Sequence, residues 1–111
     1  MFKRPENTKQ LEWTNHVVGK MLFYRLSANR VKSVVRKPQR AEKGIAPGTI
    51  AVMQKAGTNR PSEIWAMYQD LPGGKKRIIT AWRYPGQSPK REAIPIPADI
   101  ILELKKEGLI K

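Results

Sequence analysis

The sequence contains no cysteine and a single histidine, His16. Without cysteine the chain has no disulfide bond, no thiolate nucleophile and no cysteine-based zinc site. One histidine and scattered acids also predict no metal site and no cofactor. No apolar run approaches the roughly 20 residues of a membrane span, and the N-terminus has no signal-peptide core. We therefore expect a cytoplasmic protein without a membrane partner.

Acidic residues are scarce as well. The 22 lysines and arginines face only 9 aspartates and glutamates, which gives a formal charge of +13. Such an excess predicts an anionic partner, most commonly a nucleic acid. Between residues 20 and 43 only one acid, Glu42, interrupts a run of bases: Lys20, Arg25, Arg30, Lys32, Arg36, Lys37, Arg40 and Lys43. A second basic group comprises Lys75, Lys76, Arg77, Arg83, Lys90 and Arg91.

Two helices are predicted in the first half of the chain. Thr14 is a typical N-cap, and the helix after it places His16 and Lys20 on one face because they are four residues apart. Gly19 in this helix predicts that another backbone, or a ligand, passes close to it. Ser27 predicts a second N-cap, and Pro38 ends that helix.

From Thr49 the spacing of hydrophobic residues changes from a period of 3.6 residues, typical of a helix, to a period of 2, typical of a strand. This period predicts three strands, at residues 49–54, 63–69 and 76–83, and a weaker pattern at 40–45 predicts a short fourth one. Short turn-rich links favour an antiparallel meander. A proline-rich segment follows, and residues 98–107 predict a last helix with Gly108 at its end.

These elements predict an α+β fold, with two N-terminal helices packed on a three- to four-stranded antiparallel sheet and a C-terminal helix closing one side. The length predicts a single domain, 1–111. Within it we expect a flexible segment at 1–11, a core at 12–84, and the proline-rich segment and last helix at 85–111.

Several short motifs within residues 12–84 carry a resemblance to a known family: Glu12-Trp13-Thr14, His16, Lys20-Met21, Arg25-Leu26-Ser27 and Ile78-Ile79-Thr80-Ala81-Trp82-Arg83. In these motifs the chain resembles the BrnT-like proteins of the RelE superfamily, and it is more similar still to a related, uncharacterised domain-of-unknown-function family. The resemblance implies a RelE-like fold, shared by bacterial toxins that cleave messenger RNA. It further implies RNA, including ribosome-associated RNA, and an acidic antitoxin protein as partners.

One departure from the BrnT pattern concerns the last strand. The family arginine follows an Ile-Ser-Ala sequence directly, whereas Arg83 stands one residue later. Because side chains alternate along a strand, this shift predicts that Arg83 shares a face with Arg77, Ile79 and Ala81. Thr80 and Trp82 would then point to the other face.

The resemblance and the chemistry together nominate a set of site residues. Metal-independent RNA cleavage needs a proton acceptor for the 2′-hydroxyl and cations for the phosphate, which predicts four catalytic candidates: His16, Lys20, Arg25 and Arg83. Further RNA-binding candidates are Arg30, Lys32, Arg36, Lys37, Arg40, Arg77 and Tyr84. We expect the helix cations and Arg83 to line one shared concavity.

Three functions remain open at this point. The first is an endoribonuclease toxin, and the second is a non-catalytic RNA- or phosphate-binding module on the same fold. The third is an adaptor that binds an acidic protein. Each candidate also has a structural interpretation: His16 as a capping or packing residue, Lys20 as part of a solvated face, and Arg83 as the partner of a C-terminal acid such as Glu103.

Overall fold

A computed structural model describes residues 3–89 and 93–110. Residues 1–2 of the segment predicted to be flexible lie outside the described residues, as do Lys90 and Arg91 of the second basic group. The elements are β1 (Leu11–Trp13), α1 (Asn15–Tyr24), α2 (Ala28–Arg36), β2 (Arg40–Lys43), β3 (Thr49–Ala56), β4 (Ser62–Asp70), a short 3₁₀ turn (Pro72–Gly74), β5 (Lys76–Pro85) and α3 (Ala98–Lys106). The predicted α+β class is confirmed.

The strands form one five-stranded sheet in the order β1-β5-β4-β3-β2. Strands β2 to β5 are the antiparallel meander that the sequence predicts. The predicted strand count and purely antiparallel pairing are wrong, because β1 adds a fifth strand parallel to β5. At 3 residues, β1 is too short to display a period of two in the sequence.

The two N-terminal helices start at the predicted caps. The side chains of Thr14 and Ser27 accept hydrogen bonds from the backbone N–H groups of Val17 and Arg30, both at 3.1 Å. Helix α2 buries its valines against one face of the sheet, called here the α2 face. Helix α1 is placed differently from the prediction, since it packs beside β5 beyond the end of β1. Its Tyr24 contacts the cores on both faces.

Helix α3 covers the opposite face, called here the α3 face. Its Ile100 and Leu104 are fully buried in a core that contains Trp65 and Trp82. Gly108 follows the helix with a φ of 74°, as its predicted end requires. No helix within residues 3–89 and 93–110 is long and apolar enough to cross a membrane.

A bulge in β5 changes which side chains share a face. Thr80 pairs with Met67 of β4 and Ile78 pairs with Tyr68, so Ile79 has no partner in this register. Ile79 therefore packs in the α3-face core with Trp82, while Ala81 belongs to the α2-face core. The expectation that Arg83 shares a face with Ile79 and Arg77 is wrong, because one extra residue reverses the alternation between them.

Candidate anion-binding site

Three arginines from three different elements line one cleft on the α2 face. Arg25 follows the last residue of α1, Arg30 lies in the first turn of α2, and Arg83 lies near the end of β5. The cleft has a volume of about 350 Å³, and its remaining walls are Leu26, Ser27, Ala56 and Ile64. We call it the arginine cleft. Arg25 and Arg83, both predicted site residues, thus meet, and Arg30 joins them.

The backbone at Arg25 has an unusual conformation that places this residue at the cleft. Its φ of 58° and ψ of 50° are left-handed, and its N–H points back to the carbonyls of Met21 and Leu22. A residue with a side chain adopts this conformation at a cost of about 1 kcal/mol, which is why glycine is usual there. Arg25 is the only described residue other than glycine with a positive φ. Such conformations are concentrated at functional sites.

None of the three arginines is neutralised by an acid in the part of the chain that the structure describes. Among the described residues, no carboxylate lies within 4.0 Å of the Arg25, Arg30 or Arg83 guanidinium. Arg30 donates through Nη2 to the carbonyl of Lys55 at 3.1 Å, and Arg83 Nη1 lies 3.5 Å from Ser62 Oγ. Guanidinium groups that line one small opening can hold an oxyanion there, because a free guanidinium donates two parallel hydrogen bonds to a phosphate.

His16 and Lys20 lie elsewhere, in a second cleft of about 360 Å³ formed between α1 and α3. Of the residues that the structure describes, none lines both this cleft and the arginine cleft. The structure therefore divides the four predicted catalytic residues into two pairs that open at separate places. We call this second group the α1–α3 charge cluster. Its members are His16, Lys20 and Tyr24 of α1, Asp99 and Glu103 of α3, and Glu107 just after α3.

In the α1–α3 charge cluster Lys20 is bound by two acids. Its Nζ lies 2.9 Å from Asp99 Oδ2 and 2.8 Å from Glu103 Oε1, and only 9% of its side chain is exposed. The hydroxyl of Tyr24 donates to Asp99 at 3.2 Å. Glu103, considered above as a partner for Arg83, thus forms an ion pair with Lys20 of α1.

Both nitrogens of His16 have partners. Nε2 lies 2.8 Å from the hydroxyl of buried Thr80, and Nδ1 lies 3.3 Å from Glu103 Oε2 and 3.8 Å from Glu107 Oε2. With 3% of its side chain exposed, the imidazole is enclosed between α1, β5 and α3. This arrangement suits a residue that joins three elements, and it leaves little access for a substrate hydroxyl.

The cluster shifts the pKa values of its members. Burial lowers the pKa of His16, although the carboxylates of Glu107 and Glu103 oppose this effect. Burial also acts to lower the pKa of Lys20, but hydrogen bonds to Glu103 and Asp99 outweigh it, so the pKa is raised. Burial and the neighbouring Asp99 raise the pKa of Tyr24 to about 12. At neutral pH the cluster thus holds a neutral imidazole and a charged lysine.

Gly19 lies on the wall of the same cleft, next to Lys20. A Cβ built on Gly19 would meet no atom of a neighbouring element within 4 Å, in residues 3–89 and 93–110. The prediction that another backbone approaches this glycine is therefore wrong, and the position opens towards solvent.

The remaining predicted RNA-binding residues have three kinds of environment. Arg77 is paired with Glu12 of β1, whose pKa the hydrogen bond from Arg77 lowers, and Arg40 is paired with Glu42 at 2.7 Å. Tyr84 packs partly buried at the margin of the α3-face core. The others keep their charge at the surface of α2 or just after it: Lys32, Arg36 and Lys37.

Sequence reasoning missed Glu63. It is not among the predicted site residues, yet it is 1% exposed and lies on the α3 face beside Trp65. Its carboxylate accepts hydrogen bonds from Trp65 Nε1 at 3.0 Å and from Ser88 Oγ at 2.6 Å. A carboxylate directly before the apolar run of a central strand was the signal that could have revealed it. Within the described ranges, no three His, Asp or Glu side chains are grouped so that they could hold a metal ion.

Comparison with known proteins adds nothing to this geometry, because the chain matches no protein-family model, no curated protein and no solved structure.

Proposed function

We propose that the protein binds single-stranded RNA without cleaving it, and that the arginine cleft holds a backbone phosphate. The observation that carries this proposal is the meeting of Arg25, Arg30 and Arg83 around one opening, with no carboxylate of the described residues within 4.0 Å of their guanidinium groups. Further positive charge comes from Lys32, Arg36 and Lys37, on α2 or just after it, and the +13 charge of the chain favours a polyanion. The resemblance to RelE/BrnT-like proteins over residues 12–84 favours RNA among the polyanions.

The contacts of His16 favour binding over catalysis. An endoribonuclease of the kind implied by the resemblance would need an accessible proton acceptor close to the phosphate-holding arginines. His16 is enclosed between Thr80 and Glu103 and lines a different cleft from Arg25 and Arg83. The non-catalytic alternative therefore agrees better with the geometry than the toxin does.

The test is the salt dependence of binding to a single-stranded RNA of about 16 nucleotides. The wild type is compared with the double variant Arg25→Ala/Arg83→Ala and with the charge-matched control Lys105→Ala/Lys106→Ala. Both control lysines are exposed and lie on α3, across the sheet from the arginine cleft. Each phosphate contact contributes about 0.7 to the slope of log K against log salt for a single strand. The cleft variant should therefore lose about 1.4 of this slope and at least tenfold in affinity at low salt.

We expect the control variant to bind almost as tightly as the wild type. An equal loss in both double variants would show that only net charge matters and would remove the cleft from the proposal. A flat salt response of the wild type would remove RNA altogether and would favour an acidic protein, such as an antitoxin, as the occupant. RNA fragments that the wild type produces and a Lys20→Ala/Arg83→Ala variant does not would restore the endoribonuclease.

A further inference from the structure

A small groove adjoins the arginine cleft where α1 ends and α2 begins. Its volume is about 290 Å³, and its walls are Met21, Leu22, Arg25, Leu26 and Ser27. The last three of these residues also line the arginine cleft. The two openings therefore share a wall, and a ligand bound in one can extend into the other. We call the smaller opening the leucine groove.

The leucine groove is apolar, whereas the arginine cleft is charged. Met21 is fully buried and Leu26 is 2% exposed, so these two side chains form the base of the groove. Leu22 forms its outer wall and is 52% exposed. A large apolar side chain is thus left open to solvent next to a cationic opening. This combination fits a ligand that has an anionic group and an apolar ring close together.

A nucleotide is such a ligand. Its phosphate carries the negative charge, and the faces of its base pack on apolar side chains or on guanidinium planes. Leu22 and Arg25 are about one helical turn apart, roughly 5 Å along the axis, which is within the span of a single nucleotide. Arg25 lines both openings, so its guanidinium lies between the place for a phosphate and the place for a base.

We propose that the leucine groove holds a base of the strand whose phosphate lies in the arginine cleft, an inference that rests on the proposed RNA binding. The base packs on Leu22. Met21 and Leu26 have no side-chain hydrogen-bond donor, so the contact tolerates any of the four bases. It requires an unstacked base, which a single strand offers and a duplex does not.

Phe23 is a second exposed apolar residue on α1, but its surroundings differ. It is 68% exposed and lines the cleft between α1 and α3 together with Glu103 and Glu107. Carboxylates beside the ring repel the backbone of a nucleic acid. The base therefore belongs at Leu22, and Phe23→Ala should leave the affinity for RNA unchanged.

The test uses two ligands of equal charge, an oligo(U) of about eight nucleotides and the abasic ribose-phosphate oligomer of the same length. The wild type should bind oligo(U) about fivefold more tightly, at the low end for base stacking because the groove is aliphatic. This ratio should stay constant as the salt concentration changes, since packing of a base releases no counterion.

The variant Leu22→Ser should lower the affinity for oligo(U) about threefold, because the base loses apolar surface to pack on. Its affinity for the abasic oligomer should not change. Leu102→Ser is the matched control, since it removes a leucine that is 60% exposed on the other helix, α3. This control should bind both ligands as the wild type does, and thermal unfolding shows that both variants are folded.

Equal affinity of the wild type for the two ligands, with a normal salt slope, would overturn the base contact and leave RNA binding in place. The base contact would also be overturned if Leu22→Ser weakened both ligands alike, since Leu22 would then act on the arginine cleft. A loss in Phe23→Ala without a loss in Leu22→Ser would reject the leucine groove and place the base between α1 and α3. A flat salt response with both ligands would overturn RNA binding and the base contact together.

Discussion

The arginine cleft and the α1–α3 charge cluster both contain cationic side chains, three arginines in the first and Lys20 in the second, but they differ in what surrounds these charges. In the cluster, Lys20 has two carboxylates within 3 Å, and these close the charge off from solvent. In the arginine cleft, Arg25 and Arg83 have no carboxylate partner among the described residues. A cation that is neutralised inside the protein contributes to stability, whereas one left open is available to an external anion. The comparison separates positions that should affect folding from positions that should affect binding.

The largest effect on stability is expected from breaking the cluster. Lys20→Ala leaves Asp99 and Glu103 together without their cation and should lower the free energy of unfolding by about 2 kcal/mol, less than for a fully buried pair because both acids are partly exposed. Urea denaturation measures this change. Lys105→Ala, which removes an exposed lysine with no acid partner among the described residues, should change it by less than about 0.5 kcal/mol. A stable Lys20→Ala protein with weakened RNA binding would assign Lys20 to the ligand instead.

Alkaline pH should destabilise the cluster without discharging the arginines. The raised pKa of Tyr24, about 12, favours its neutral form in the folded state, and the raised pKa of Lys20 favours its charged form. Both groups bind protons more tightly when folded, so their contribution is present below the ordinary pKa values and is lost as the pH rises above about 10. We expect a loss of about 1–2 kcal/mol by pH 12, after allowance for partial exposure.

Urea denaturation at a series of alkaline pH values measures this loss, and tyrosinate absorbance reports the titration of Tyr24. Tyr24→Phe should remove part of the pH dependence and leave the part due to Lys20. A variant that keeps the full pH dependence would show that the Asp99–Tyr24 hydrogen bond does not hold the tyrosine neutral.

The smallest effect on stability is expected at Arg25. Glycine suits its left-handed backbone, so Arg25→Gly relieves about 1 kcal/mol of strain, while the greater freedom of the unfolded chain offsets much of this gain. The melting temperature should therefore change by only a few degrees. RNA affinity at low salt should nevertheless fall several-fold, because one guanidinium is lost from the cleft. A fall in stability with unchanged RNA affinity would show that Arg25 stabilises the fold, as Lys20 does, and does not bind RNA.

Much of the local structure could be predicted because it depends on neighbouring residues. The side chains of Thr14 and Ser27 cap helices within three residues of themselves, and Gly108 ends one for the same local reason. In β3 and β4, side chains alternate between the two faces of the sheet because of the pleat of each single strand, so this pattern too is local. By contrast, β1 exists only because β5 supplies its hydrogen bonds, and nothing within its own sequence marks it as a strand.

The candidate site could be predicted only as a set of charges. Composition predicts a cationic surface, and the family resemblance together with the chemistry of RNA cleavage nominates Arg25 and Arg83. The face on which Arg83 lies depends on the unpaired Ile79, and a bulge is a property of two paired strands that one strand does not display. Glu63 was missed for a related reason, since its carboxylate is held by Ser88, a residue distant in sequence.

By itself, the sequence determined how much positive charge the protein carries, which segments form helices and the four longer strands, and where the helices are capped. Only the tertiary structure decided which cations are neutralised. Lys20 and Asp99 are 79 residues apart and meet because α3 packs against the face of the sheet beside α1. Short-range propensities act within a turn or a strand, whereas the pairing of charges depends on which distant surfaces the hydrophobic core brings together.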